Sequence, residues 1–416
     1  MRFRNSILSV LISYSCLLNA QFTVDAELRP RFEYRHGYRT IFPDNVNPAA
    51  FVSQRARVNF SFEKEKLKLF LSGQDVRVWG DTPQLNLSDK NGFGLHQAWA
   101  EVVLNKNLAL RLGRQELVYN DQRFFGSAGW AQQARSHDLA LLKLRVGSLS
   151  VDFGFAFNQD AENLTETTLT SNTYKSIQYC WLDKRFKSSS ISLLVLNNGE
   201  QFIDENNEEN NETRYSQTIG THFKYRKNKF KGIANVYFQF GEDVLSNTLS
   251  SSLFGIEGQY AINKDIKISL GGEQQSGNDF GSVSNNKNKA FTPLYGTNHK
   301  FNGVIDYFYV GNHKNNVGLI DLYIKSQLLF NKRSDITIAI HNFSSQAKIE
   351  SHNSKQLGAE IDLVFNYNLL DDVNLKMGYS QIFDSEGLRI VKNNFNKTNN
   401  NWAWAMLTIK PTLYKS

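Results

Sequence analysis

The chain has 416 residues, of which 13% are aromatic, 41% apolar and 21% charged, with a formal net charge of +7. That length suits two or three average domains or one large all-β unit, and the aromatic share excludes a disordered chain. Beyond the N-terminus no apolar run reaches the ~18 residues of a membrane helix, which leaves spanning strands open, and the modest charge gives no reason to expect a nucleic-acid partner.

Residues 1–20 stand apart from the rest: MRFR is basic, ILSVLISYSCLLNA is apolar, and Ala20 is a small residue before Gln21. This pattern reads as a secretory signal peptide, with a short membrane anchor or a lipid-modified Cys16 as the alternatives. Its removal takes Arg2 and Arg4 away, lowering the net charge from +7 to +5, and leaves Cys180 as the one cysteine, so no disulfide framework is expected.

The first segment of the mature chain, FTVDAELRPRFEYR at 22–35, sets the pattern. Phe22, Val24, Ala26, Leu28, Phe32 and Tyr34 share one parity, and Thr23, Asp25, Glu27, Arg29, Arg31, Glu33 and Arg35 the other. A period of 2 puts the two sets on opposite faces of a strand. Strand-like segments follow at 51–63, 66–79, 93–104, 108–116, 136–146, 149–158, 174–186, 189–197, 213–226, 230–241, 252–262, 266–275, 317–330, 334–343, 355–368, 373–383 and 401–411, eighteen in all. VDFGFAFN sets Val151, Phe153, Phe155 and Phe157 against Asp152, Gly154, Ala156 and Asn158, and GAEIDLVF sets Ala359, Ile361, Leu363 and Phe365 against Glu360 and Asp362.

The connections alternate. Those after the even-numbered strands are tight (KE, NKN, GS, KS, KNK, NKD, NKR, LLDD), while most after the odd-numbered ones run long and are rich in Asn, Ser and Glu. A meander has that rhythm when all short turns lie at one end, as in an outer-membrane barrel. The expected fold is therefore all-β: residues 21–416 form a single transmembrane β-barrel of eighteen antiparallel strands, aromatics toward lipid and charges toward a wet lumen. In hydrocarbon an open edge leaves backbone groups unpaired at several kcal/mol each, so strand 22–35 must close onto 401–411. Strand material begins too soon after residue 21 for an N-terminal plug domain, so plugging falls to loops 36–50, 117–135 or 276–316. GVIDYFYV at 303–310 reads as a loop or luminal strand rather than a nineteenth span. Asp75 and Arg77 face lipid, or lie above the apolar band, unless a bulge at Ser72–Gly73 shifts the parity.

Cations are the main chemical feature of the luminal parity: Arg29, Arg31, Arg35, Arg55, Arg57, Arg111, Lys143 and Arg145. Guanidinium forks suit the passage of anionic solutes; pairing with Asp25, Glu27, Glu33, Glu63 and Glu101 as a stiffening network is the competing explanation. Arg114 joins the luminal set if the chain bends at Gly113, since glycine accepts such a bend without a steric penalty. His137 and Asp138 are adjacent and hence on opposite faces, no HExxH or GxSxG motif is present, and no enzyme, cofactor or metal site is expected. The acidic loop residues Glu200, Asp204, Glu205, Glu208, Glu209 and Glu212 lack ligand spacing.

DVRVWGD at 75–81, LRLGRQELVYNDQRFFGSAGW at 110–130, SHDLALLKL at 136–144 and LYGTNHKFNGVIDYFYVG at 294–311 resemble the alginate-export family of outer-membrane barrels, in its smaller homologue branch. The resemblance implies an eighteen-stranded integral outer-membrane pore. It also implies Arg111 and Arg114 near a constriction, with Arg123 in the loop that gates or narrows it. The expected function is passive passage of hydrophilic, anionic solutes, including acidic oligo- or polysaccharide. Outer-membrane lipid and lipopolysaccharide surround the pore, and a periplasmic partner stays unspecified. The alternative is a secreted or surface polysaccharide-binding β protein without transport.

Overall fold

The computed structural model describes residues 20–85, 92–165, 168–171, 173–281, 286–308, 317–349 and 354–416; of the leader reading at 1–20, all but Ala20 lies outside the described residues. Eighteen strands form the wall. The first nine are β1 (Ala20–His36), β2 (Ala49–Lys64), β3 (Leu67–Val78), β4 (Gly94–Asn105), β5 (Leu108–Gln115), β6 (His137–Val146), β7 (Leu149–Phe157), β8 (Ser176–Arg185) and β9 (Ser189–Phe202). The second nine are β10 (Glu212–Lys227), β11 (Phe230–Glu242), β12 (Thr248–Ala261), β13 (Ile266–Gln275), β14 (Leu319–Leu329), β15 (Ser334–Ser344), β16 (Gln356–Leu370), β17 (Val373–Asp384) and β18 (Asn400–Ile409). Each pairs antiparallel with its sequence neighbours. The ring closes through β1 and β18, from Leu28↔Ile409 to His36↔Asn401, and the terminal stretch Thr412–Lys415 continues that pairing at Thr23, Val24 and Asp25. No backbone edge is left for lipid to strip of water.

Two features of the sequence produce this ring. Positive-φ residues close several of the tight turns, Glu65, Gly147 and Asn228 among them, as two-residue hairpins require. Strict alternation fixes the register, because a one-residue slip would exchange the faces. On β1, Leu28, Phe32 and Tyr34 are exposed outward while Glu27, Arg29, Arg31 and Glu33 are buried inward. A register shift does occur at Ser72/Gly73, but the extra residue is in β4, so the parity of β3 against β2 is unbroken. Asp75 and Arg77 therefore stay on the outer face near the long-loop end of β3, joined at 2.5 Å.

The lumen is not simply wet. All three loops considered for plugging fold into it and bring apolar side chains with them. One cluster joins Ile41, Ile305, Tyr307 and Phe308 to Phe343, Trp402 and Trp404 of the wall. The other packs Phe124, Phe125 and Phe291 against Leu139, Leu141, Ile177, Leu194 and Leu196. Residues 303–308 are irregular luminal loop rather than a span, with Ile305 and Tyr307 fully buried; 309–310 lie outside the described residues. Over this loop sits a short helix, α1 (Glu386–Lys392), capped by the Ser385 hydroxyl accepting from Leu388 N–H and ended by Asn393 in the left-handed region.

Candidate functional site

The site is assembled from three wall patches and two loops. On β1 and β2 the register sets Glu27 opposite Arg57 and Arg29 opposite Arg55, all facing inward. Arg29, Arg31 and Arg55 grip the loop between β5 and β6. Arg29 donates to the carbonyls of Gly129 (2.7 Å) and Ala131 (3.2 Å) and to Gln132 Oε1 (2.9 Å). Arg31 donates to Trp130 O at 2.6 Å and stacks 4.0 Å from its ring. Arg55 pairs with Glu27 and reaches Gln132 O at 3.3 Å. Arg57 donates to Gln74 Oε1 at 2.6 Å, and Arg31 and Arg35 share Glu33 at 2.8 and 2.9 Å. Five guanidiniums thus stand beside Glu27 and Glu33, with Glu116 also acting on Arg57, and loop carbonyls absorb part of the excess.

The second patch lies on β4 to β7. Arg111 and Lys143 both reach Glu101 Oε2 at 2.7 Å, Arg111 lies 3.8 Å over Trp99, and Arg145 meets Asp152 at 2.5 Å. Asp152 also accepts from Tyr119 of the β5–β6 loop at 3.0 Å. Three cations share two carboxylates here. Arg114 is a correction to the luminal set. The β4–β5 register runs unshifted through Glu101↔Arg111, Trp99↔Gly113 and Ala98↔Arg114, so no bulge forms at Gly113. Arg114 shares the outer face with Asp138, its partner at 2.6 Å. Gly113 is needed for another reason: its φ is +114°, and a Cβ there would meet Ala98 O at 2.3 Å.

Arg123 holds the two loops together. Fully buried, it pairs with Glu273 of β13, donates to Asn302 Oδ1 at 3.0 Å and stacks 4.3 Å over Phe301. Asn302 in turn donates to Glu273 (3.0 Å) and Asp321 (3.3 Å). Backbone bonds complete the strap: Gly126 N–H to Tyr295 O and Thr297 N–H to Gln122 O, both 3.0 Å. Burial holds the Tyr119 and Tyr295 phenols well above the ordinary range, so both stay neutral donors.

Two cavities lie on either side of this strap. The one toward the long loops, about 800 Å³, is bordered by Arg135, His137, Tyr174, Glu200 and Asn298. The one toward the short turns, about 420 Å³, is bordered by Lys231, Glu257, Lys300, Asn302 and Lys325. The sequence reading missed the lysines of the second cavity, although Lys231, Lys267 and Lys325 stand on luminal parity and alternation alone marks them. It also missed Glu273 and Asn302, which nothing local connects to Arg123, 150 and 179 residues away. Among the described residues no group of three or more His, Cys, Asp or Glu is arranged to hold a metal.

A model of the family described as "alginate export" matches residues 20–390. Among solved structures, the outer membrane protein opdK of Pseudomonas aeruginosa aligns at a TM-score of 0.63 and 12% identity, over 95% of this chain and 99% of that one. OccAB4 of Acinetobacter baumannii aligns at 0.64 and 11% identity with the same coverage. OpdK solved with vanillate aligns at 0.60 and 12% identity, also over 95% and 99% of the two chains. At these identities the likeness is one of fold. No protein in the curated set matches the chain.

Proposed function

The chain belongs to the alginate-export family of integral outer-membrane barrels, and from that premise we propose that it passes small hydrophilic solutes down their gradients, with a preference for anions. The observation that carries the reading is the imbalance of luminal charge. Arg111, Lys143 and Arg145 pair with Glu101 and Asp152, and the five arginines of β1 and β2 stand beside Glu27 and Glu33, with Glu116 also acting on Arg57, so eight cations stand against five carboxylates. In a lumen walled by low-dielectric protein, such an excess raises local anion concentration and repels cations. An acidic saccharide is one solute of this class. A polymer would need the strap displaced, because Phe124, Phe125 and Phe291 occupy the lumen at 3% exposure or less.

The test is the reversal potential of the purified protein in a planar bilayer under a salt gradient. Anion selectivity that falls at high salt is expected. A strict cation preference defeats the reading. Saccharide binding without conductance would instead favour a surface-binding role.

A further inference from the structure

The inner cavity collects lysines from separate parts of the chain. Lys231 stands near the short-turn end of β11, opposite Gln259; Lys325 stands on β14, opposite Ser269. Lys300 descends from the β13–β14 loop and donates to Asp121 O at 2.8 Å. Lys267 of β13 borders the same space and reaches Gln327 at 3.3 Å. Farther along this wall Arg226 is the register partner of Lys231 and extends the row of cations.

The acids offset them only in part. Glu257 is 3.6 Å from Lys325 and accepts from Tyr323 at 3.0 Å. The other carboxylates bordering the cavity have partners of their own, although Asp121 acts on Lys300 as well. Glu273 holds Arg123, Asp321 holds His341 at 2.9 Å, and Asp121 accepts from Asn235 at 2.7 Å. Burial lowers the pKa of Lys300; the Asp121 carboxylate opposes this, and the Lys231 and Lys325 ammoniums, which border the same cavity, add to the lowering.

We propose that this cavity is a binding site for a phosphate group, free or esterified, held by Lys231, Lys300 and Lys325. The residue type suits this chemistry: ammoniums are compact point charges that can approach a tetrahedral oxyanion from several sides, and lysine is a common phosphate binder for that reason. The arginines of this lumen are already committed to carboxylates and loop carbonyls; these lysines border one cavity, with Lys300 also donating to Asp121 O and Lys325 also facing Glu257. The site rests on the channel reading only for the route by which a ligand arrives, and binding is measurable without transport.

The experiment is calorimetric titration of the detergent-purified full chain with inorganic phosphate and, separately, with glycerol phosphate. Wild type should bind at least one of them, more weakly as salt is raised. Binding of the ester assigns a phosphorylated solute; binding of the inorganic ion alone assigns free phosphate. Lys231→Gln with Lys325→Gln should weaken binding about tenfold, the scale of removing two partly screened charges. Lys300→Gln leaves the wall untouched and should weaken it severalfold, even if the double variant does not assemble. Arg114→Gln, on the outer face, should change affinity by less than about twofold. No wild-type binding, or equal loss with Arg114→Gln, overturns the proposal. Anion selectivity in bilayers stands or falls separately.

Discussion

At the scale of single residues, burial determines which charges are structural. Arg123 and Glu273 form a buried pair whose second function is to position Asn302. Removing one partner of such a pair leaves the other uncompensated, at a cost of about 3–5 kcal/mol. Arg123→Leu should therefore lower the thermal midpoint and loosen the strap, giving larger and noisier single-channel currents. Unchanged current with a lowered midpoint would make Arg123 a stability residue only. Lys392 at the end of α1 is a second case: burial pushes its ammonium down to about 7, and it donates to Tyr307 O at 2.8 Å. The folded state then binds fewer protons than the unfolded state between about pH 7 and the ordinary lysine value. Docking of α1 should strengthen as pH rises through that window and be weakest below it. Hydrogen-exchange protection of the α1 amides at pH 6 and pH 9 measures this, and Lys392→Met should remove the difference.

At the scale of elements, the wall was readable because each strand lies between two solvents. Alternation in FTVDAELRPRFEYR and the eight tight turns sufficed to count the strands and close the ring. What alternation could not show is where water is absent from the lumen. Leu139, Leu141, Leu194 and Leu196 are inward and buried although they stand on the luminal parity. Strands apolar on both faces were a usable mark of where loops pack inside. Gly113 shows the converse: a permissive residue that suggests a bend toward the lumen instead permits the close approach of β4 and β5. Gly113→Ala should destabilise the barrel by about 1–3 kcal/mol, from the positive φ and the Ala98 contact together. Arg114→Ala, on the outer face, should leave ion selectivity unchanged, while Arg111→Ala should reduce anion preference. Equal effects on the reversal potential would contradict the register-based assignment.

At the scale of the whole molecule, the β5–β6 and β13–β14 loops form one layer across the lumen, anchored to wall strands that are distant in sequence. Arginines of β1 and β2 hold one side, Glu273 holds the centre, and Gln239 of β11 binds both the N–H and the carbonyl of Thr292 at 2.9 Å. A layer held at several points cannot yield by a small side-chain rotation; solutes larger than ions need part of it to leave the wall. The Gln239–Thr292 contact offers a place to prevent this outside the charged patches. In a Cys180→Ser background, which removes the free cysteine of the described residues, Gln239→Cys and Thr292→Cys would be joined by a short reducible thiol cross-linker. Flux of a neutral sugar into liposomes should fall on cross-linking and recover with reductant, while small-ion conductance changes less. If sugar flux is indifferent to the cross-link, solutes pass beside a static strap, and the arginine and lysine patches act on a path that this anchor does not control.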